Sequence, residues 1–391
     1  MAGLLNKFWN HALSLLPLQG FYFDRPIVVL QSDDWGRVGV RDQQGFEQLR
    51  AAGLNLGERP YDFYTLETAE DLNALSNLLK RHRDSTGRPA SLVMNFITAN
   101  LDFSKMDGFR QIELLPLADG LPQGWVRPGL FEAYRAGVAA GVFYPAVHGT
   151  THFCRPAVER QLADSGERGR LLRNLWNAGT PYIHWRMPWI GYEYWDPGQS
   201  ETERFLSAES QTQMIGSAVG YFAKLFSSVP RSACAPGYRA DSNTNRAWTQ
   251  FGIKVAQNGA GVLLPPHFEN DELLQLYRNV LMEPAITENF SLTRCLDAAA
   301  HNISLKIPAV VSVHSINFHS SLKEFRSRTL AVLDEFLSAL EHTYPDLLYL
   351  NDEDVWQVVQ TGAYQTDSGI ERVTVTKKRT KRSGLAKGAG E

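Results

Sequence analysis

Cysteine is scarce in this chain: Cys154, Cys234 and Cys295 are three residues in 391, an odd number set far apart. That excludes a disulfide framework and a Cys-x-x-Cys zinc site, and makes a reducing compartment the default expectation. Charge of one sign is lacking too. A net charge of -3 and a pI near 6.4 give no basic groove for nucleic acid and no acidic surface for a basic polymer, so small or uncharged substrates fit better. No stretch approaches the roughly eighteen uninterrupted apolar residues of a membrane span. The apolar residues near the start are broken by His11 and Pro17, and no small-x-small cleavage pattern follows. The expectation is an N-terminal helical extension over residues 1–23 of a soluble, cytoplasmic protein. Gly-x-Ser-x-Gly, Walker and Gly-x-Gly-x-x-Gly patterns are absent, which disfavours serine hydrolase, NTPase and simple dehydrogenase chemistry.

What the chain does have is apolar character: 43% hydrophobic against 21% charged residues is the balance of a globular protein with a large core. Short, nearly continuous apolar runs at residues 26–30, 92–96, 141–147, 253–256, 307–313 and 347–350 have the length of buried strands. Helical periodicity lies between them, at 68–82, 210–226 and 322–342. In the first of these Leu72, Leu75, Leu78 and Leu79 share a face, and Thr68 to Asp71 has the form of a capping box. Alternating strand and helix predicts an α/β fold with a largely parallel sheet. Residues 114–130 and 153–209 break the rhythm and are expected as insertions or active-site loops. Residues 366–391 lose apolar character and carry Lys377-Lys378-Arg379-Thr380-Lys381-Arg382; the expectation is a disordered basic tail able to touch anionic surfaces.

Three apolar runs end abruptly in residues fit for metal or proton chemistry. Residues 27–30 lead into Gln31-Ser32-Asp33-Asp34-Trp35-Gly36, residues 141–147 into His148-Gly149-Thr150-Thr151-His152, and residues 308–313 into His314. Taken singly, an Asp pair is more often a turn, and a lone histidine is more often packed. The His-x-x-x-His spacing puts two imidazoles on one side of a helical turn, as a metal needs. Three such endings at the same end of parallel strands outweigh coincidence.

In these motifs the chain resembles the polysaccharide deacetylases, the NodB-homology or carbohydrate esterase family 4 group. Ser32-Asp33-Asp34 looks like the first motif, His148 to His152 the second, Cys234-Ala235-Pro236-Gly237-Tyr238 the third, and Val311-Ser312-Val313-His314 the last. The resemblance spans roughly residues 24 to 360 on short motifs. It implies a distorted (β/α) barrel of the glycoside hydrolase/deacetylase type over residues 24–365, with loop insertions. It further implies a zinc or similar divalent ion on Asp34, His148 and His152, with Asp33 as general base and His314 as the acid that protonates the leaving group. The reaction implied is removal of acetyl, N-acetyl before O-acetyl, from a carbohydrate or glycan precursor, with oxyanion charge shared by the backbone near Tyr238. Two departures stand out. The first two motifs are unusually far apart, and Cys234 replaces the arginine that orients the catalytic Asp, leaving Arg231, Arg239 or nothing for that contact.

For the sugar, the segment from His184 to Trp195 offers flat rings, Trp185 among them, and hydroxyl binders in Arg186 and Glu193, although such aromatics equally anchor an insertion or fill a subunit interface. Trp35 is expected as a pocket wall, with Tyr238 and Arg239 as further substrate contacts. Two alternatives remain: a glycoside hydrolase pairing Asp33 with Asp196, Glu193 or Asp241, and a non-catalytic carbohydrate-binding homologue.

Overall fold

Each apolar run contains or adjoins a strand. The computed structural model describes residues 18–106, 111–163, 166–259, 263–269, 272–366 and 369–380. In chain order its strands are β1 (Leu18–Phe23), β2 (Ile27–Trp35), β3 (Leu92–Phe96), β4 (Ala99–Leu101), β5 (Leu114–Pro116), β6 (Phe143–Val147), β7 (Ser232–Cys234) and β8 (Val255–Asn258). They continue with β9 (His267–Glu269), β10 (Leu273–Tyr277), β11 (Val280–Leu281), β12 (Ala309–His314), β13 (Leu348–Tyr349), β14 (Ala363–Thr366), β15 (Gly369–Arg372) and β16 (Val375–Thr380). One sheet runs β11-β12-β2-β3-β6-β7-β8-β10-β9, with β13 beside the start of β2. Its described ladders are parallel except that of β9 on β10. The fold is mixed α/β on a parallel sheet.

Alternation along the strands decides what faces where. Ile27 and Val29 join Val93, Ala146, Val255, Leu274, Leu276, Val310 and Leu348 in one cluster on the inner face. Val28 and Leu30 point the other way, into the layer of helices with Leu72, Leu75 and Leu337. Continued by two, the inner series places Gln31 and then Asp33 above the apolar floor, at the C-terminal ends of the strands, where function in such folds gathers. Register brings the other candidates alongside. His314 is the direct neighbour of Asp33 across β12–β2, and His148 follows β6 immediately.

Strand β2 does not stop at the Asp pair; it runs on to Trp35 through a bulge, the register shifting between Ser32 and Trp35. Simple alternation would turn Asp34 outward. Instead Asp34 adopts φ 74°, a left-handed conformation that costs a non-glycine residue about 1 kcal/mol, least for Asp and Asn. Tyr64 Oη donates to the Asp34 carbonyl at 2.7 Å and Gly36 N–H to Glu67 at 2.8 Å, and these contacts hold the bulge.

Helices pack on the outside, with ends the sequence announces. Ala69–Arg81 starts at the Thr68/Asp71 capping box and packs on Leu130–Ala139. Asp352–Thr361 is capped by Asn351 and closed by Gly362 at φ 72°.

Three expectations are corrected. Leu18–Phe23 is a strand, with Phe21 and Phe23 buried at period two, so the helical extension fails for those residues, while 1–17 lie outside the described ones. Its partner is β16, part of the segment expected to be disordered. Lys377 and Lys378 lie on a two-stranded ribbon, each ammonium 5.4 Å from a ring of Phe21 or Tyr22. Alternation of Val and Thr after residue 372 outweighs the basic composition there. Finally, residues 148–152 form a loop and not a helical turn, with Gly149 at φ 90°.

Candidate metal and acid-base site

Asp33 is the most constrained of the candidate residues. Arg278, fully buried at the end of β10, grips it from both sides, Nη2 to Oδ1 and Nη1 to Oδ2, each at 2.6 Å. Asn95 donates to Oδ1 at 2.8 Å. The guanidinium spends its other donors on Gln31 (3.0 Å), Gln257 (2.9 Å) and the Tyr238 hydroxyl (2.8 Å), so no N–H of this buried cation goes unmet. Burial alone would raise the Asp33 pKa; the charge of Arg278 overrides it and holds the carboxyl well below the usual range. The contact missing at Cys234 is therefore made by Arg278, not by the residues expected. Arg231 lies 3.8 Å from Glu353, and Arg239 stacks on Trp195 at 4.9 Å. Cys234 remains at the junction, its sulfur 3.8 Å from Arg278 and its thiol pushed well up by burial.

Asp34 faces two imidazoles. Its Oδ1 is buried without a hydrogen-bond partner, 3.4 Å from His152 Nε2 and 3.8 Å from His148 Nε2. A bare buried acceptor costs about 1–3 kcal/mol, which a cation would recover. Nδ1 of His148 is engaged by the Cys234 carbonyl at 2.8 Å, which turns Nε2 toward Asp34. Burial lowers the pKa of both histidines, with Arg37 adding to it at His152, which favours the neutral form a metal requires. Ligand atoms of Asp34, His148 and His152 lie within 4.8 Å of one another, and the residues fit a divalent ion. A second group, Asp33, His148 and Cys234, is equally close, but the Arg278 charge lies between its members and repels any cation.

His314 extends toward the same carboxylates, Nε2 3.9 Å from Asp33 Oδ2. Glu283 holds its Nδ1 at 2.6 Å and is itself fixed by Asn317. Burial pulls the His314 pKa down, but Glu283 outweighs it and the imidazole is pushed up to about 9. At neutral pH it carries a proton it can give.

Other expected contacts lie elsewhere. Trp35 is fully buried and stacked on Phe318 in the core, so it walls no pocket. Trp185 and Arg186 both bind Asp62, at 3.0 and 3.1 Å, and anchor their loop. The Tyr238 N–H is spent on the Ala235 carbonyl at 2.8 Å, which removes it as an oxyanion donor. Its hydroxyl, 3.5 Å from Asp33, is what reaches the site. Among the carboxylates a glycosidase would need, Asp196 pairs with Arg160, Asp241 caps a helix, and Glu193 backs the histidine loop by accepting from Thr150 at 2.8 Å. His319 lies apart from Asp33, 3.6 Å from buried Glu67. Sequence reasoning missed Arg278, Glu283, Arg37 and Tyr182, while His184 and Tyr192 lay within the aromatic segment it singled out. Arg278 and Glu283 carry the signal used for the others, a charged residue just beyond an apolar strand.

No protein-family model matches the chain, and no curated protein matches it. In structure the chain is similar to a protein of Mycobacterium smegmatis described as a candidate polysaccharide deacetylase, at 11% identity and a TM-score of 0.45, over 88% of this chain and 95% of that one. It is also similar to a family 4 carbohydrate esterase of Streptomyces lividans in complex with acetate, at 11% identity and TM-score 0.34 over 83% and 91% of the chains. A CE4 family pseudoenzyme from Bacillus anthracis gives 10%, 0.38, 87% and 68% in the same terms. Likeness this distant leaves the chemistry to be argued from the residues themselves.

Replacing Arg278 by Gln leaves a buried carboxylate without its cation and should cost about 3–5 kcal/mol in urea unfolding. Arg231→Gln, at a half-exposed pair, should stay within about 0.5 kcal/mol, and equal costs would refute the network. The His314–Glu283 pair raises a folded-state pKa, so its stabilisation is full below about pH 6.5 and fades as pH rises toward 9. The stability gap between wild type and Glu283→Gln should therefore narrow over that window by up to about 3 kcal/mol. A gap that stays constant would show that the histidine is not charged by Glu283.

Proposed function

We propose that this protein is a metal-dependent hydrolase that removes acetyl groups from a carbohydrate, with amide-linked acetyl the favoured bond. The observation that carries this is the bare Asp34 Oδ1 facing two imidazoles, next to a second carboxylate kept ionised by Arg278. One carboxylate and two imidazoles suit zinc, and three protein ligands leave coordination positions open. When bound on Asp34, His148 and His152, such an ion supplies Lewis-acid polarisation of an acyl carbonyl and acidification of water.

The remaining steps belong to side chains. Asp33 Oδ1 is taken by Arg278 and Asn95, while Oδ2 has Arg278 at 2.6 Å and otherwise only the longer contacts of the Tyr238 hydroxyl (3.5 Å), the Cys234 thiol (3.9 Å) and His314 Nε2 (3.9 Å). Oδ2 is therefore the oxygen free to accept a proton from an attacking water, and Arg278 fixes its direction. His314, charged and oriented by Glu283, gives its proton to the departing nitrogen or oxygen. The 3.9 Å between Asp33 Oδ2 and His314 Nε2 lets the proton gained by one reset the other after turnover.

Acetate release from an N-acetylated chito-oligosaccharide tests the proposal. Asp33→Asn should lower turnover at least about a hundredfold while bound metal is retained. Reducing sugar without acetate would replace the proposal by glycosidic cleavage, and unchanged turnover in the variant would remove Asp33 as the base.

A further inference from the structure

We infer that Glu193 is a positioning residue for the metal site: from behind the loop it holds His148 and His152 in their ligating arrangement before any ion is bound. The inference rests on the reading of Asp34, His148 and His152 as ligands and adds what keeps two of them in place.

Residues 148–152 belong to no helix or strand, so each buried peptide group of this loop needs a partner from elsewhere. One side is met by the chain after β3. The Thr98 N–H donates to the Gly149 carbonyl at 3.1 Å and the Ala99 N–H to the Thr150 carbonyl at 3.0 Å, while the His148 N–H goes to the Phe96 carbonyl at 2.8 Å. The two central donors turn the other way. The Thr150 N–H reaches Glu193 Oε1 at 2.8 Å and the Thr151 N–H reaches the same oxygen at 3.3 Å. One carboxylate oxygen thus closes the middle of the loop, between the two histidines. Without it two peptide donors of buried residues would be left unmet.

The fit between carboxylate and loop is close. Glu193 is 1% exposed, and its second oxygen sits beside Gly149, where an added Cβ would lie 1.9 Å from Oε2. Gly149, at φ 90°, therefore supplies both the left-handed backbone and the room. Glu193 is itself mounted on a tight turn. Tyr192 and Trp195 exchange backbone hydrogen bonds at 3.0 and 2.7 Å around it, and the Cys154 N–H donates to the Ile190 carbonyl at 2.9 Å, tying the turn to the chain just past the loop.

The two histidines depend on this hold to different degrees. An imidazole ligand is ordinarily oriented by a hydrogen bond at its other ring nitrogen. His148 has one, from its Nδ1 to the Cys234 carbonyl at 2.8 Å. His152 does not: its Nδ1 is buried without a partner, among the rings of His184, Tyr192 and Tyr182 at 5.2, 5.7 and 6.5 Å. Its direction is set by those rings and by the backbone, which Glu193 fixes one residue earlier. Part of the aromatic segment from His184 to Trp195 thereby serves the metal ligands.

The test pairs hydrogen exchange of the metal-free full-length chain with zinc affinity measured by chelator competition. In wild type the Thr150 and Thr151 amides should be protected without zinc, and Glu193→Ala should speed their exchange at least about tenfold. The same variant should weaken zinc binding by about tenfold to a hundredfold, and Glu193→Gln, which keeps an acceptor oxygen, should restore affinity to within about threefold. Glu193→Asp keeps the charge but withdraws the oxygen by one methylene; it should weaken zinc binding as Ala does, and it decides the matter if Glu193→Ala does not fold. Leu337→Ala, in the buried face of the helix Arg326–Thr343, should lower stability and leave zinc affinity unchanged. Wild-type exchange or wild-type zinc affinity in Glu193→Ala and Glu193→Asp, or an equal loss of affinity in Leu337→Ala, would overturn the inference. Wild type that takes up no zinc rejects the metal reading, and the exchange rates then decide alone whether Glu193 holds the loop.

Discussion

A guanidinium removed from solvent, that of Arg278, organises the inner polar layer of this protein. Buried charge is tolerable only when paired and fully hydrogen-bonded, and Arg278 meets that condition through Asp33, Gln31, Gln257 and Tyr238. Those partners come from β2, β8 and the turn after β7, so one side chain ties the C-terminal ends of separate strands to a single geometry. Asp352 completes the layer from below, accepting from Gln31 and Gln257. The direction of the Asp33 carboxylate is a consequence of this arrangement. So is its ionisation.

Above that layer the bulge in β2 does a second job. A regular strand would send Asp33 and Asp34 to opposite faces; the left-handed turn at Asp34 brings both to one end of the sheet, one bound to Arg278 and the other open toward His148 and His152. Strain of this kind is kept only where the surroundings enforce it, here through Tyr64 and Glu67. The two carboxylates, adjacent in sequence, thereby acquire different environments and different chemistry.

Much of this was legible in the sequence. The six apolar runs foretold strands of the parallel sheet, and their polar endings pointed to the residues that the structure gathers at one end: Asp33, Asp34, His148, His152 and His314. What was not legible depends on contacts distant along the chain. Arg278 follows a run, Leu273 to Tyr277, too mixed with Gln275 to stand out, and its partner lies 245 residues earlier. Trp35 adjoins the Asp pair in sequence yet faces the helices, because the bulge reverses the side on which it emerges. The terminal ribbon was hidden because β1 and β16 are marginal alone and gain their partner only from the other end of the chain.

The central claim is that Asp34, His148 and His152 hold a metal ion. Elemental analysis of purified protein beside a His152→Ala variant tests it most directly. The account predicts about one zinc or comparable divalent ion per chain, lost in the variant while the fold is retained. No bound metal after reconstitution, or the same stoichiometry in both proteins, would contradict it.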